Sequence, residues 1–149
     1  MPIEVRWLIK NQVILTHLIG QVSAQEIADY IDKSFVMRDK ANEANGQYGA
    51  LIHTVTDATR VESQKTDLGT LSRTMKSLRR QRVGWSLYVT SNRFERFAST
   101  LLHQFAGVRF QSFDTMQEAL TFLRISDDSL CSTLTDRLDL SPWDFNELL

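Results

Sequence analysis

The chain of 149 residues has one cysteine, two prolines and six glycines that occur singly. Cys131 has no second thiol, so it closes no internal disulfide and joins no CxxC pair. A reducing, cytoplasmic home is therefore expected. The isolated glycines leave no phosphate-cradling loop. His17, His53 and His103 match no zinc-ligand spacing, so neither a metal nor another cofactor is expected. No window reaches eighteen uninterrupted apolar residues, which excludes a transmembrane helix. The opening MPIEVRW lacks the basic and apolar regions of a signal peptide. With 17 basic against 18 acidic residues, the net charge of -1 exerts no general pull toward nucleic acid or anionic membrane. Helix-turn-helix, zinc-finger and RNP-like patterns are missing as well, and no nucleic-acid partner is expected.

What the chain does have is repeated switching between two periodicities. Ile3, Val5, Trp7 and Ile9 alternate with Glu4, Arg6 and Leu8, and after Lys10 and Asn11 a second run, residues 12–19, completes a hairpin. Ser23 and Glu26 form a capping box, with Val22 and Ile27 placed as a hydrophobic staple. The helix they open carries Ile27, Tyr30, Ile31 and Phe35 on one face and stops near Gly46. Residues 50–57 read as a third strand and residues 58–67 as a polar connection. A second helix follows, with Leu68, Leu71, Met75 and Leu78 on its apolar face. In residues 84–90, Trp85, Leu87 and Val89 alternate with Ser86, Tyr88 and Thr90, a fourth strand in which Trp85 belongs to the core. Asn92 and Glu95 cap a third helix with an aromatic stripe of Phe94, Phe97, Leu101 and Phe105. The fifth strand, ending at Phe113, turns at once into a fourth helix capped by Thr115 and Glu118.

This order predicts an α/β domain over residues 1–125: a mixed five-stranded sheet with four helices, the first strand antiparallel, in the order β-β-α-β-α-β-α-β-α. Residues 126–149 form an acidic tail. The alternation in the fourth and fifth strands predicts that helices cover mainly one sheet face, leaving Ser86, Tyr88, Arg109 and Gln111 together on the other.

The leading hairpin, the strand ending in Asp57, the Gly84-Trp85 strand, the helix spanning Phe94 and Phe105, and the ending VRFQSFDTMQEALTFL resemble the STAS-like, or SpoIIAA-like, superfamily of anti-sigma-factor antagonists, in particular its uncharacterised bacterial members. The resemblance spans residues 3–124 and rests on element order. It implies a non-enzymatic regulatory or docking domain, often switched by phosphorylation of a serine just after the third strand. Here the sequence departs from the pattern. Phosphorylated antagonists carry an Asp-Ser-Ser-Gly-like turn, whereas this chain reads Asp57-Ala58-Thr59-Arg60. Thr59, Ser63 and Thr66 remain as candidate hydroxyls of a phospho-loop, with Arg60 and Lys65 close in sequence, but caps or solvated loop residues are the favoured reading.

Arg73, Lys76, Arg79, Arg80 and Arg82 crowd a stretch with no acidic residue. They are a candidate anion or partner patch, or simply the solvated shoulder of a helix. His53 and Asp57 share a strand face, but four residues along a strand hold them too far apart for a dyad. No GxSxG elbow occurs, and no catalytic residue is assigned: the chain is read as not an enzyme. The tail carries six acidic residues against Arg137, a net -5, and ends in an amphipathic segment whose Trp143, Phe145 and Leu148 are expected to dock on the chain itself, on an identical subunit or on another protein. The expected function is a protein-interaction or regulatory module with an unidentified protein partner, working as a homodimer. The alternative is a carrier or sensor of a small apolar ligand or lipid held against the aromatic third helix, as in lipid-binding domains that share this topology.

Overall fold

The computed structural model describes residues 3–46, 49, 51–64, 83–93, 109–127 and 130. Strands β1 (Ile3–Ile9) and β2 (Val13–Val22) form the leading antiparallel hairpin, with Ile3 opposite Leu18 and Trp7 opposite Ile14. Its turn closes where Gln12 N–H donates to the Ile9 carbonyl at 3.0 Å. Asn11 sits there at φ 62°, a left-handed conformation that asparagine tolerates better than most side chains.

Helix α1 (Ala24–Asn45) begins as its sequence predicts. The Ser23 hydroxyl accepts the Glu26 N–H at 3.1 Å, and the Glu26 carboxylate accepts the Ser23 N–H at 2.9 Å. Val22 and Ile27 pack in one buried cluster, which completes the staple. Gly46 ends the helix at φ 76° and ψ 175°, a region that only glycine enters without strain. Strands β3 (Ile52–Gln64), β4 (Val83–Val89) and β5 (Phe110–Phe113) follow, then helix α2 (Met116–Ser126). The Thr115 hydroxyl accepts the Glu118 N–H at 3.2 Å, while the Glu118 carboxylate reaches one residue beyond the box position and accepts the Asp114 N–H at 3.3 Å.

The sheet order is β1-β2-β3-β4-β5, antiparallel at β1–β2 and parallel at every other pairing, as the element order predicts. Two of the four expected helices fall among the described residues. The second and third, on residues 68–78 and 94–105, lie outside them.

The expectation of a sheet covered mainly on one face is overturned. Helix α1 packs through Ile27, Ile31 and Ala41 against Ile14, Leu18 and Ile52, while α2 packs through Met116, Ala119, Leu120 and Leu123 against the opposite face, on Val13, Leu15, Val55, Leu87 and Val89. Strand β2 agrees, since its residues 13–18 are all buried, the mark of a strand covered on both sides. Register corrects the second expectation. Ser86 pairs with Phe110 and Leu87 with Gln111, so Ser86 and Tyr88 share the α1 face while Gln111 lies on the α2 face. Arg109 joins that face too, its guanidinium 5.2 Å above the Trp85 ring. Trp85 itself is partly buried against the core of the α2 face and meets Phe122 edge-on at 4.9 Å.

Burial, not helix propensity, holds these layers. An isolated helix of 11 residues such as α2 would be marginal in water. Each of its fully buried leucines contributes about 1.5–3 kcal/mol on leaving water, which is enough to fix it on the sheet. The α1 face also contains a buried cation. Arg38, 4% exposed, donates from Nη2 to the Thr54 hydroxyl at 2.7 Å. Burial lowers its pKa to about 10, which still leaves it charged at neutral pH.

Candidate functional site

Strand β3 is longer than its sequence suggests. Residues 58–64, expected as part of a polar connection, continue the strand to Gln64 because the end of β2 runs beside them: Ile19 pairs with Arg60, Gly20 with Val61 and Val22 with Gln64. Two register shifts absorb the extra length, one between His17 and Ile19 and one between Gly20 and Gln21. Thr59 and Ser63 are therefore strand residues and not members of a loop at a helix start.

At the first of these shifts lies a polar cluster. His17 of β2 pairs in register with Asp57 of β3, and Nδ1 stands 3.5 Å from Oδ2, with both side chains fully buried. The other carboxylate oxygen of Asp57 accepts two hydrogen bonds from Thr59, at 2.6 Å from the hydroxyl and 3.0 Å from the backbone N–H. Burial alone would raise the pKa of Asp57. The contacts from His17 and from both Thr59 donors outweigh it and hold the carboxyl below its ordinary 3.8. Thr59 is exposed, so the cluster runs from a buried imidazole through an ionised carboxylate to a hydroxyl at the surface.

A second histidine anchors the α2 face. Ile52 pairs with Val83 but Thr54 pairs with Ser86, so Gly84 and Trp85 together face the single residue His53, a β-bulge. The bulge aims the Trp85 N–H at His53 Nδ1, 2.9 Å away, and the other ring nitrogen, Nε2, lies 2.8 Å from Oδ2 of Asp127. Because Nδ1 accepts, the proton sits on Nε2 and is donated to Asp127. Burial lowers the His53 pKa from 6.5, and Arg109 pushes the same way; the hydrogen bond and charge of Asp127 oppose them without prevailing. A Cβ on Gly84 would stand 2.4 Å from His53 Nδ1, so this ring needs glycine beside it.

The expected separation of His53 and Asp57 holds, since each takes a different partner. Sequence reasoning missed both partnerships. His17 lies 40 residues from Asp57 and is brought to it by parallel register alone. Asp127 was counted only as tail charge, yet it caps α2 and is followed by Leu130, 1% exposed in the core of the α2 face. Of the other candidate residues, Thr66, Arg73, Lys76, Arg79, Arg80, Arg82, Trp143, Phe145 and Leu148 lie outside the described residues, as do Phe94, Phe97, Leu101 and Phe105 of the carrier reading; for Ser63 only the backbone is described. No group of histidine, cysteine or carboxylate side chains able to hold a metal occurs among the described residues. No described helix is long and apolar enough to cross a membrane.

No protein-family model matches the chain, and no curated protein matches its sequence. Among solved structures, it is similar to an uncharacterised protein of the DUF3478 family with a SpoIIAA-like fold from Shewanella loihica PV-4. The TM-score is 0.52 over 81% of this chain and 91% of that one, at 11% identity. The fold is SpoIIAA-like. The likeness extends to architecture, and the neighbour brings no activity with it.

Two measurements probe the His53 anchor. Gly84→Ala should cost about 1–3 kcal/mol by overpacking the bulge, and most of that cost should vanish in a His53→Ala background, where the ring is gone. The second is pH. His53 has a lowered folded pKa, so its contribution is complete above 6.5 and fades as pH falls below that value. Asp57 is also lowered, but its contribution fades only below 3.8, outside this window. Denaturant midpoints should therefore fall between pH 7 and 5 in the wild type, and fall less in His53→Gln, which keeps a donor and an acceptor but does not titrate.

Proposed function

We propose that the chain is a non-enzymatic regulatory or protein-interaction module of STAS-like type, which presents the exposed end of β3 around Thr59 to a protein partner. One observation carries this reading: the Thr59 hydroxyl is held at 2.6 Å by the carboxylate of Asp57, with His17 buried behind it. His17 and Asp57 are 0% and 1% exposed, so a substrate cannot reach them. Their effect is to fix the local backbone and the direction of the surface hydroxyl.

The same geometry argues against phosphorylation of Thr59 as the switch. A phosphate on Thr59 would break the bond to Asp57 and set a doubly charged group against a carboxylate that stays ionised. Thr59 also sits within a strand and not in the first turn of a helix. The absence of a serine-glycine turn after Asp57 supports this view. A cytoplasmic home is part of the proposal and rests on the single cysteine.

A photo-crosslinking residue at the exposed Glu62, in the native host, should capture one discrete protein onto a chain that carries no phosphate by intact mass. Thr59→Arg should weaken that capture about tenfold or more, the loss of ~1.4 kcal/mol of contact, while Asp39→Arg on the outer side of α1 leaves it unchanged. Capture indifferent to Thr59→Arg, or dependent on phosphate at Thr59, would contradict the proposal.

A further inference from the structure

Among the described residues, strand β1 is an edge of the sheet, bonded to β2 along one side from Ile3 to Trp7. Such a strand turns a row of backbone N–H and C=O groups outward, a template for another strand. It has seven residues against four in β5, the opposite edge, and its pairing with β2 is regular from Ile3 to Trp7. No proline interrupts it. Ile3, Val5 and Trp7 lie on the face covered by α1, and Glu4 and Arg6 on the other.

The two charges are the informative part. Glu4 Oε2 and Arg6 Nη2 stand 3.5 Å apart along the strand, with side chains 50% and 24% exposed. Arg6 Nε and Nη2 are buried and make no hydrogen bond among the described residues, so the guanidinium fork holds unsatisfied donors that gain a better-placed carboxylate when the side chain turns out to the edge. From this edge we infer that β1 pairs antiparallel with β1 of a second copy of the chain, about a two-fold axis at Val5. In that register Glu4 faces the partner's Arg6 and Arg6 faces the partner's Glu4, with Ile3 opposite the partner's Trp7. The pairing is self-complementary, as a two-fold contact must be. Moving the axis to Arg6 sets the two guanidinium groups against each other, and moving it to Glu4 does the same with the carboxylates. Charges on an edge strand ordinarily ward off pairing. Here their alternating sign rejects the neighbouring registers and accepts one. The inference goes beyond the Thr59 surface and does not depend on it.

A contact of five residues per strand belongs to the small, concentration-dependent class of interface, so sedimentation should be followed over a wide range of concentration with the full chain. The wild type should associate to a dimer. Glu4→Arg alone and Arg6→Glu alone should each weaken the dimer about tenfold or more, while Glu4→Arg with Arg6→Glu in one chain restores it. Mixing the two single variants should give a heterodimer, because one edge then carries two positive charges and the other two negative ones. Far-UV circular dichroism and thermal melts check that each variant is folded. The wild type and the double swap carry the test should a single variant fail to fold. A wild type that stays monomeric to its solubility limit, a dimer insensitive to the single swaps, or a mixture without heterodimer overturns the inference, and none of these results touches the Thr59 reading.

Discussion

The His53 imidazole, hydrogen-bonded through both nitrogens, ties β3 to the backbone of β4 and to the carboxylate that ends α2. Each bond constrains something larger. Nδ1 can accept from Trp85 only because Gly84 and Trp85 bulge opposite it, and the ring fits only because Gly84 has no side chain. Nε2 holds Asp127, so the last turn of α2 is placed over β4, and Leu130 can enter the core beyond it. A proton on Nδ1 would oppose two N–H groups at 2.9 Å, and the ring must therefore stay neutral for the three elements to meet as they do.

Around Asp57 the requirement is that a buried charge be supported by donors. Asp57 is inside the sheet and yet ionised, which is tolerable because Thr59 gives it two donors and His17 faces its second oxygen. Breaking such a cluster would leave a charge stranded in the core, so the path of β3 past Asp57 is fixed closely. That is how a buried pair determines where an exposed hydroxyl points. A surface with one fixed orientation has little conformational freedom left to lose when something binds it.

Much of the architecture was legible in the chain. Ser23 with Glu26, and Thr115 with Glu118, marked both described helix starts, and period-two alternation marked β1, β4 and β5. Residues 58–64 were misread because Thr59, Arg60 and Glu62 are exposed; a strand that runs past the covered part of a sheet loses its apolar signal while keeping its pairing. Coverage of both faces was misjudged for a related reason. Polar Ser86 and Thr54 look solvent-facing in sequence, but α1 lies on their face and supplies Arg38 as a hydrogen-bond donor to Thr54. The candidate site was half legible. Asp57 and His53 stood out as titratable residues on one strand face, whereas His17 and Asp127 become their partners only through strand register and the path of α2, which no local spacing encodes.

The central claim is that His53 is held neutral by accepting the Trp85 amide, and long-range proton–nitrogen NMR of the imidazole rings tests it directly. The account predicts that at neutral pH His53 shows a protonated Nε2 and an unprotonated, hydrogen-bonded Nδ1, and that this pattern persists as pH falls through 6.5. A proton on Nδ1 at neutral pH, or a ring that has become an imidazolium by pH 6.5, would contradict it.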